Sequence, residues 1–169
     1  MDIQFLTEKR RKNISPYVIY TLCFTAVSAA VFSWFFLNGK TFIWKETDGM
    51  TQHFNALVYY RSWLRELLEN LFVKRQAEIP MWNWNVGYGA DVITTFHYYV
   101  LGDPLNLFSV LVPLNAMEAF YGGLILLRIW LAGMAFLAWC GSVGEKSAWA
   151  AGGALIYSFN FWTIMAGVR

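Results

Sequence analysis

Three apolar stretches govern what this chain can fold into. The first, Pro16–Leu37, carries no charge. About twenty such residues cross the hydrocarbon core of a bilayer, where the backbone must satisfy its own hydrogen bonds within a helix. The second, 119–140, holds one charge, Arg128, near its middle, and the third covers 148–166. Composition agrees. Of the 169 residues 57% are hydrophobic, 19% aromatic and only 14% charged, far from the balance of a soluble domain. The expected fold class is all-α: a multi-pass transmembrane helical bundle of three spans, with a long outer loop carrying interfacial amphipathic helices.

The basic run Lys9-Arg10-Arg11-Lys12 precedes the first span and places the N-terminus in the cytoplasm. Residues 1–15 then form a cytoplasmic tail, 38–118 an outer loop, and 141–147 a cytoplasmic turn. A signal peptide is the competing reading of the first stretch. Its apolar run is too long for that, no small-x-small cleavage site follows, and Trp34, Phe35, Phe36 and Trp44 mark an outer interface instead. Cys23 and Cys140 both lie in apolar segments without metal-ligand spacing and are expected as free buried thiols, not as a disulfide framework. A net charge of +2 with no basic stripe argues against a nucleic-acid partner. Gly122, Gly123, Gly133, Ala151, Gly152, Gly153 and Ala154 permit close helix contact. Three spans would make a thin bundle, so further transmembrane helices of a larger parent protein are expected as packing partners, alongside membrane lipid.

The outer loop holds the polar chemistry. From 51 to 72, Phe54, Leu57, Val58, Leu64, Leu68, Leu71 and Phe72 recur at helical spacing, the mark of an amphipathic helix at the membrane surface. Arg61 and Arg65 fall on the apolar side. They either snorkel, with stems buried and heads in the headgroup layer, or face a phosphate. Lys74 to Glu78 reads as a solvated turn. Between Pro80 and Gly89 lie Trp82, Asn83, Trp84 and Asn85 with Gly87 and Gly89. Flat rings and amides suit a sugar, and the same aromatics equally suit an interfacial anchor. Asp103-Pro104 sets an extended or turn conformation before the apolar run 105–114, which Pro113 breaks and which is too short to span. It reads as interfacial or re-entrant.

Asp48-Gly49, Gln52-His53, Pro80-x-Trp82-Asn83 with Gly87-x-Gly89, and Asp103-Pro104, in this order after a first span, resemble the start of the YfhO family of bacterial membrane proteins, of the GT-C glycosyltransferase type. The resemblance covers the chain from first span to third. It implies a GT-C-like bundle in the bacterial cytoplasmic membrane. It further implies transfer of a sugar from a polyprenyl-phosphate donor to a cell-envelope polymer acceptor, such as teichoic acid, on the outer face. In that type an acidic residue of the first outer loop is the usual catalytic carboxylate, and Asp48 is the matching position. The later spans and soluble outer domain of the family are absent from this chain, and the isolated piece is expected to be inactive alone.

Glycosyl transfer needs a carboxylate to take or orient the acceptor's proton and cations to stabilise the leaving phosphate. Asp48 is the candidate base, or else an N-cap for the helix that follows. His53, Gln52, Arg61, Trp82, Asn83, Asn85, Asp103 and Arg128 are the candidate substrate-binding residues. Asp91 and His97 are weaker ones. Asp103 could also support Mg²⁺ or Mn²⁺ with Asp48, or simply hold its turn; the cofactor stays open. Arg128, costly at the middle of a span, is expected to face the bundle interior and meet an acid or the donor's phosphate, unless it snorkels from a span whose centre is shifted. Two other classes remain: a transporter or flippase for lipid-linked sugars, and a scaffold subunit.

Overall fold

In a computed structural model, residues 14–43, 48–84 and 86–167 are described. Helix α1 (Pro16–Leu37) has the predicted bounds and starts on a proline, whose missing N–H is no loss in the first turn. It buries only Tyr20, Phe24 and Phe32, at spacings of four and eight. Leu22, Val31, Trp34 and Leu37 are exposed. A helix apolar all round yet largely exposed is suited to lipid, not water. Among the described residues, α1 and the continuous helical stretch Leu114–Ser142 are long and apolar enough to cross a membrane.

The loop from 38 to 116 is mostly helical. Residues 49–73 form one rod, with α2 (Asn55–Leu68) between π-helical turns Gly49–Phe54 and Glu69–Val73, close to the predicted 51–72. A two-stranded antiparallel hairpin follows, β1 (Trp82–Asn83) against β2 (Ala90–Asp91), with Trp82 opposite Asp91. Then come α3 (Val92–Phe96), a π turn His97–Leu101, and a 3₁₀ segment Pro104–Leu111. The last of these is the apolar run read as interfacial or re-entrant. It packs along α2 before the chain enters α4 (Met117–Ser142).

Arg61 and Arg65 explain that packing, in a way neither sequence reading foresaw. Arg61 Nε donates to the Val112 carbonyl, and Arg65 Nε donates to Val110 O at 2.9 Å. The 3₁₀ segment ends ahead of Pro113 with carbonyls that no following turn can bond. Two guanidinium forks from α2 fill that need. Arg61 is buried, and burial, with Arg65 nearby, pushes its pKa down from the usual value; an arginine stays charged even so.

The third apolar stretch departs from expectation. It is broken into α5 (Ala148–Ser158) and α6 (Phe161–Gly167). The cause is Asn160. Its side chain donates to the Tyr157 carbonyl and to Thr163 Oγ1 at 2.9 Å, and accepts from Thr163 N at 2.9 Å. These local bonds compete with the helical ladder and start α6 afresh. The stretch is therefore not one straight span.

Helices α1, α4 and α5 meet at Gly133. Tyr20 Oη donates to Trp130 O at 2.9 Å and shares a bond of 2.8 Å with Ser158 Oγ, which donates to Ala154 O at 2.8 Å. A Cβ on Gly133 would lie 2.2 Å from Tyr20 Oη and 2.4 Å from Ser158 Oγ, so only glycine admits the junction. Both cysteines are free, as expected, but only Cys140 is buried. Cys23 sits exposed on the outer face of α1.

Candidate functional site

The site is built where the loop meets α4. Arg128 lies on the buried stripe of α4 with Tyr121, Leu124 and Ile125. Helical side chains lean toward the helix N-terminus, and here that end is the loop side. Arg128 Nε and Nη2 reach Asp103 Oδ2 at 2.8 and 2.6 Å, and Nη2 also donates to Asn106 Oδ1 at 3.0 Å. The pair is about three-quarters buried. The expectation that Arg128 faces the interior and meets an acid thus has a named partner. Asp103 holds its turn, one of the roles the sequence allowed, and also pairs with Arg128. Its Oδ1 accepts from Leu105 N at 2.8 Å, capping the 3₁₀ segment, while Oδ2 takes the guanidinium. Asn106, almost fully buried, spends its amide on Val100 O at 3.1 Å.

Beside this cluster lies a cleft of about 20 Å³ lined by His53, Leu57, Tyr99, Val100, Asn106, Tyr121 and Arg128. That is room for about one water-sized oxygen, not for a sugar ring. From the cleft a polar chain runs outward. Tyr99 Oη donates to Gln52 Oε1 at 2.9 Å, and Gln52 Nε2 donates to Asp48 Oδ1 at 3.1 Å. His53 packs edge-on to Tyr99, with ring centroids 5.3 Å apart. Asp48 stands at the head of the Gly49–Phe54 turn with helical backbone angles, and among the described residues its side chain makes no N-cap hydrogen bond. Its carboxylate is exposed and accepts from the Gln52 amide, so it stays accessible.

The other predicted residues sit elsewhere. Trp82 is largely exposed on β1, next to a half-buried Asn83. The Trp82 and Trp84 rings meet at 5.7 Å over Gly89, whose φ of 103° and missing Cβ let both indoles close in. Asn85 falls outside the described residues. Arg61 is turned to the Val112 carbonyl, away from this cleft. Asp91 caps α3, accepting from Thr94 N at 2.8 Å, and His97 Nδ1 is bonded to Thr94 O at 2.9 Å. Neither lines the cleft.

Three site residues escaped the sequence reading: Tyr99, Asn106 and Tyr121. Asn106 left a trace, as an amide inside an otherwise apolar run. The two tyrosines were hidden among the many aromatics of an apolar chain. For a divalent metal the fit is poor. Both oxygens of Asp103 are engaged, and among the described residues no three of His, Cys, Asp and Glu gather to hold an ion.

No curated protein and no solved structure matches the chain. The family described as Bacterial membrane protein YfhO matches it over residues 20–168, which takes in most of α1, the whole loop, the Arg128 cluster and α4 to α6. The chain belongs to the YfhO family of bacterial membrane proteins.

Proposed function

We propose that this protein works in glycosyl transfer of the GT-C type. It would move a sugar from a polyprenyl-phosphate donor to a cell-envelope acceptor on the outer face of the cytoplasmic membrane. The observation that carries the reading is the polar chain from Asp48 through Gln52 and Tyr99 to the cleft beside Arg128. It links an accessible carboxylate to a cationic notch at the loop end of a membrane helix. In this reading Asp48 takes the proton of the acceptor hydroxyl as that oxygen attacks the anomeric carbon. The bond from that carbon to the donor phosphate breaks, and the phosphate keeps the electron pair. His53 and the Arg128 cluster face the phosphate, where negative charge grows. The Trp82–Trp84 face offers a flat apolar surface to the sugar or acceptor.

The test is transfer from labelled polyprenyl-phosphate sugar in membranes holding the intact protein, wild type against Asp48→Asn. The substitution removes a base while keeping shape. General-base catalysis contributes about 10²–10⁴-fold, and a loss of that size at equal expression is expected. Full activity in Asp48→Asn would remove Asp48 from the mechanism. No transfer by the wild type with acceptor present would favour a transporter or scaffold.

A further inference from the structure

Tyr121 is 3% exposed, and its hydroxyl makes no hydrogen bond among the described residues. Burying an unmatched hydroxyl is unfavourable unless a ligand or water meets it. This one lines the cleft with Arg128. Arg128 commits Nε and Nη2 to Asp103 and Asn106, leaving Nη1 without a hydrogen bond among the described residues. Asn106, which also lines the cleft, accepts from Arg128 through its oxygen and donates to Val100 O through its amide. What remains on these two side chains is donors: a phenol O–H and a guanidinium N–H. A sugar hydroxyl, which brings a proton of its own, is a poorer match than a bare anionic oxygen. The volume of about 20 Å³ admits one such atom.

Resting on the glycosyl-transfer reading, we infer that the Tyr121 hydroxyl and the outer edge of Arg128 form a notch for one non-bridging phosphate oxygen of the lipid-linked donor. Tyr121 is then a donor-binding residue. A charge-assisted hydrogen bond is the stronger kind, and losing one weakens binding by about tenfold or more.

The experiment measures binding of polyprenyl monophosphate, with the uncharged polyprenol as control, to the intact protein in nanodiscs. Tyr121→Phe removes one oxygen that no described residue bonds, so lipid-free thermal stability should hold or rise. Its affinity for the monophosphate should fall about tenfold, with polyprenol binding unchanged. Ser109→Ala removes another buried hydroxyl with no partner among the described residues, outside the cleft lining, and should leave both affinities alone. Unchanged monophosphate affinity in Tyr121→Phe would overturn the inference while leaving the glycosyl-transfer reading standing. An equal loss in Ser109→Ala would overturn it too, by showing a general packing effect. A wild type that binds the monophosphate no better than polyprenol would overturn both.

Discussion

At the scale of single residues, two positions bear most of the argument. Gly133 is where three helices converge, and an added methyl group would overlap two polar side chains at once. Overpacking of this kind costs about 1–3 kcal/mol. Gly133→Ala should therefore lower the melting temperature of the detergent-solubilised protein. Gly141→Ala, on the same helix with nothing within 4 Å of its Cβ, should not. Equal melting for the two would mean the helices slide apart freely. Arg128 is the other position. Arg128→Leu strands the Asp103 carboxylate in a partly buried place. Since the pair retains some solvent, the cost should fall below that of a fully buried pair, at about 1–3 kcal/mol. A double-mutant cycle with Asp103→Leu checks this. Coupling of about 0.5–3 kcal/mol is expected for side chains in contact, and additivity would show that the ion pair contributes nothing.

At the scale of elements, the joints decide more than the helices. The turn from α4 to α5 is tied by Glu145, whose carboxylate accepts from Ser147 N at 2.8 Å. The Ser147 hydroxyl, and then its N–H, hold the Glu145 pKa below the usual 4.5. A depressed folded pKa means the group stabilises the fold above the unfolded value and loses this contribution as pH falls through the folded one. Below about pH 4.5 the turn should loosen. Glu145→Gln should flatten that part of the melting-temperature profile against pH, and an identical acid limb in both proteins would refute the role. The break at Asn160 is the second joint. Asn160→Ala removes the acceptor for Thr163 N and should cost about 1 kcal/mol as a lost cap, read as a lower melting temperature. The amphipathic rod and the first span were legible in the sequence because hydrophobic period and length report directly on a helix. The broken third stretch was not. One asparagine hardly changes mean hydropathy, while its side-chain bonds alter the backbone path.

At the scale of the molecule, the loop and the membrane helices share one core. Leu57 of α2, Val100 of the loop, and Met117, Tyr121 and Ile125 of α4 are buried in the same cluster. The polar site is the seam of that core. The basic run ahead of α1 predicts a cytoplasmic N-terminus and an outer loop. Ser62, exposed on α2, should react as cysteine with a membrane-impermeant thiol reagent in intact cells. A cysteine at exposed Val143 in the α4–α5 turn should react only after permeabilisation. The opposite pattern would invert the topology and place the carboxylate and cleft in the cytoplasm.

Composition and period were enough for the membrane class, the all-α architecture, the limits of α1 and the amphipathic rod, since each depends on properties summed along the chain, while the family resemblance rested on the order of short loop motifs. The sequence also singled out Arg128, because a charge in an apolar run is costly wherever it lies, and Asp103, because Asp-Pro marks a turn. That these two would pair, 25 positions apart, depended on how the 3₁₀ segment packs, and so did the diversion of Arg61 and Arg65 to backbone carbonyls. Tyr99, Asn106 and Tyr121 became site residues only when the loop folded against α4. Proximity between distant segments is set by packing, and no local pattern encodes it.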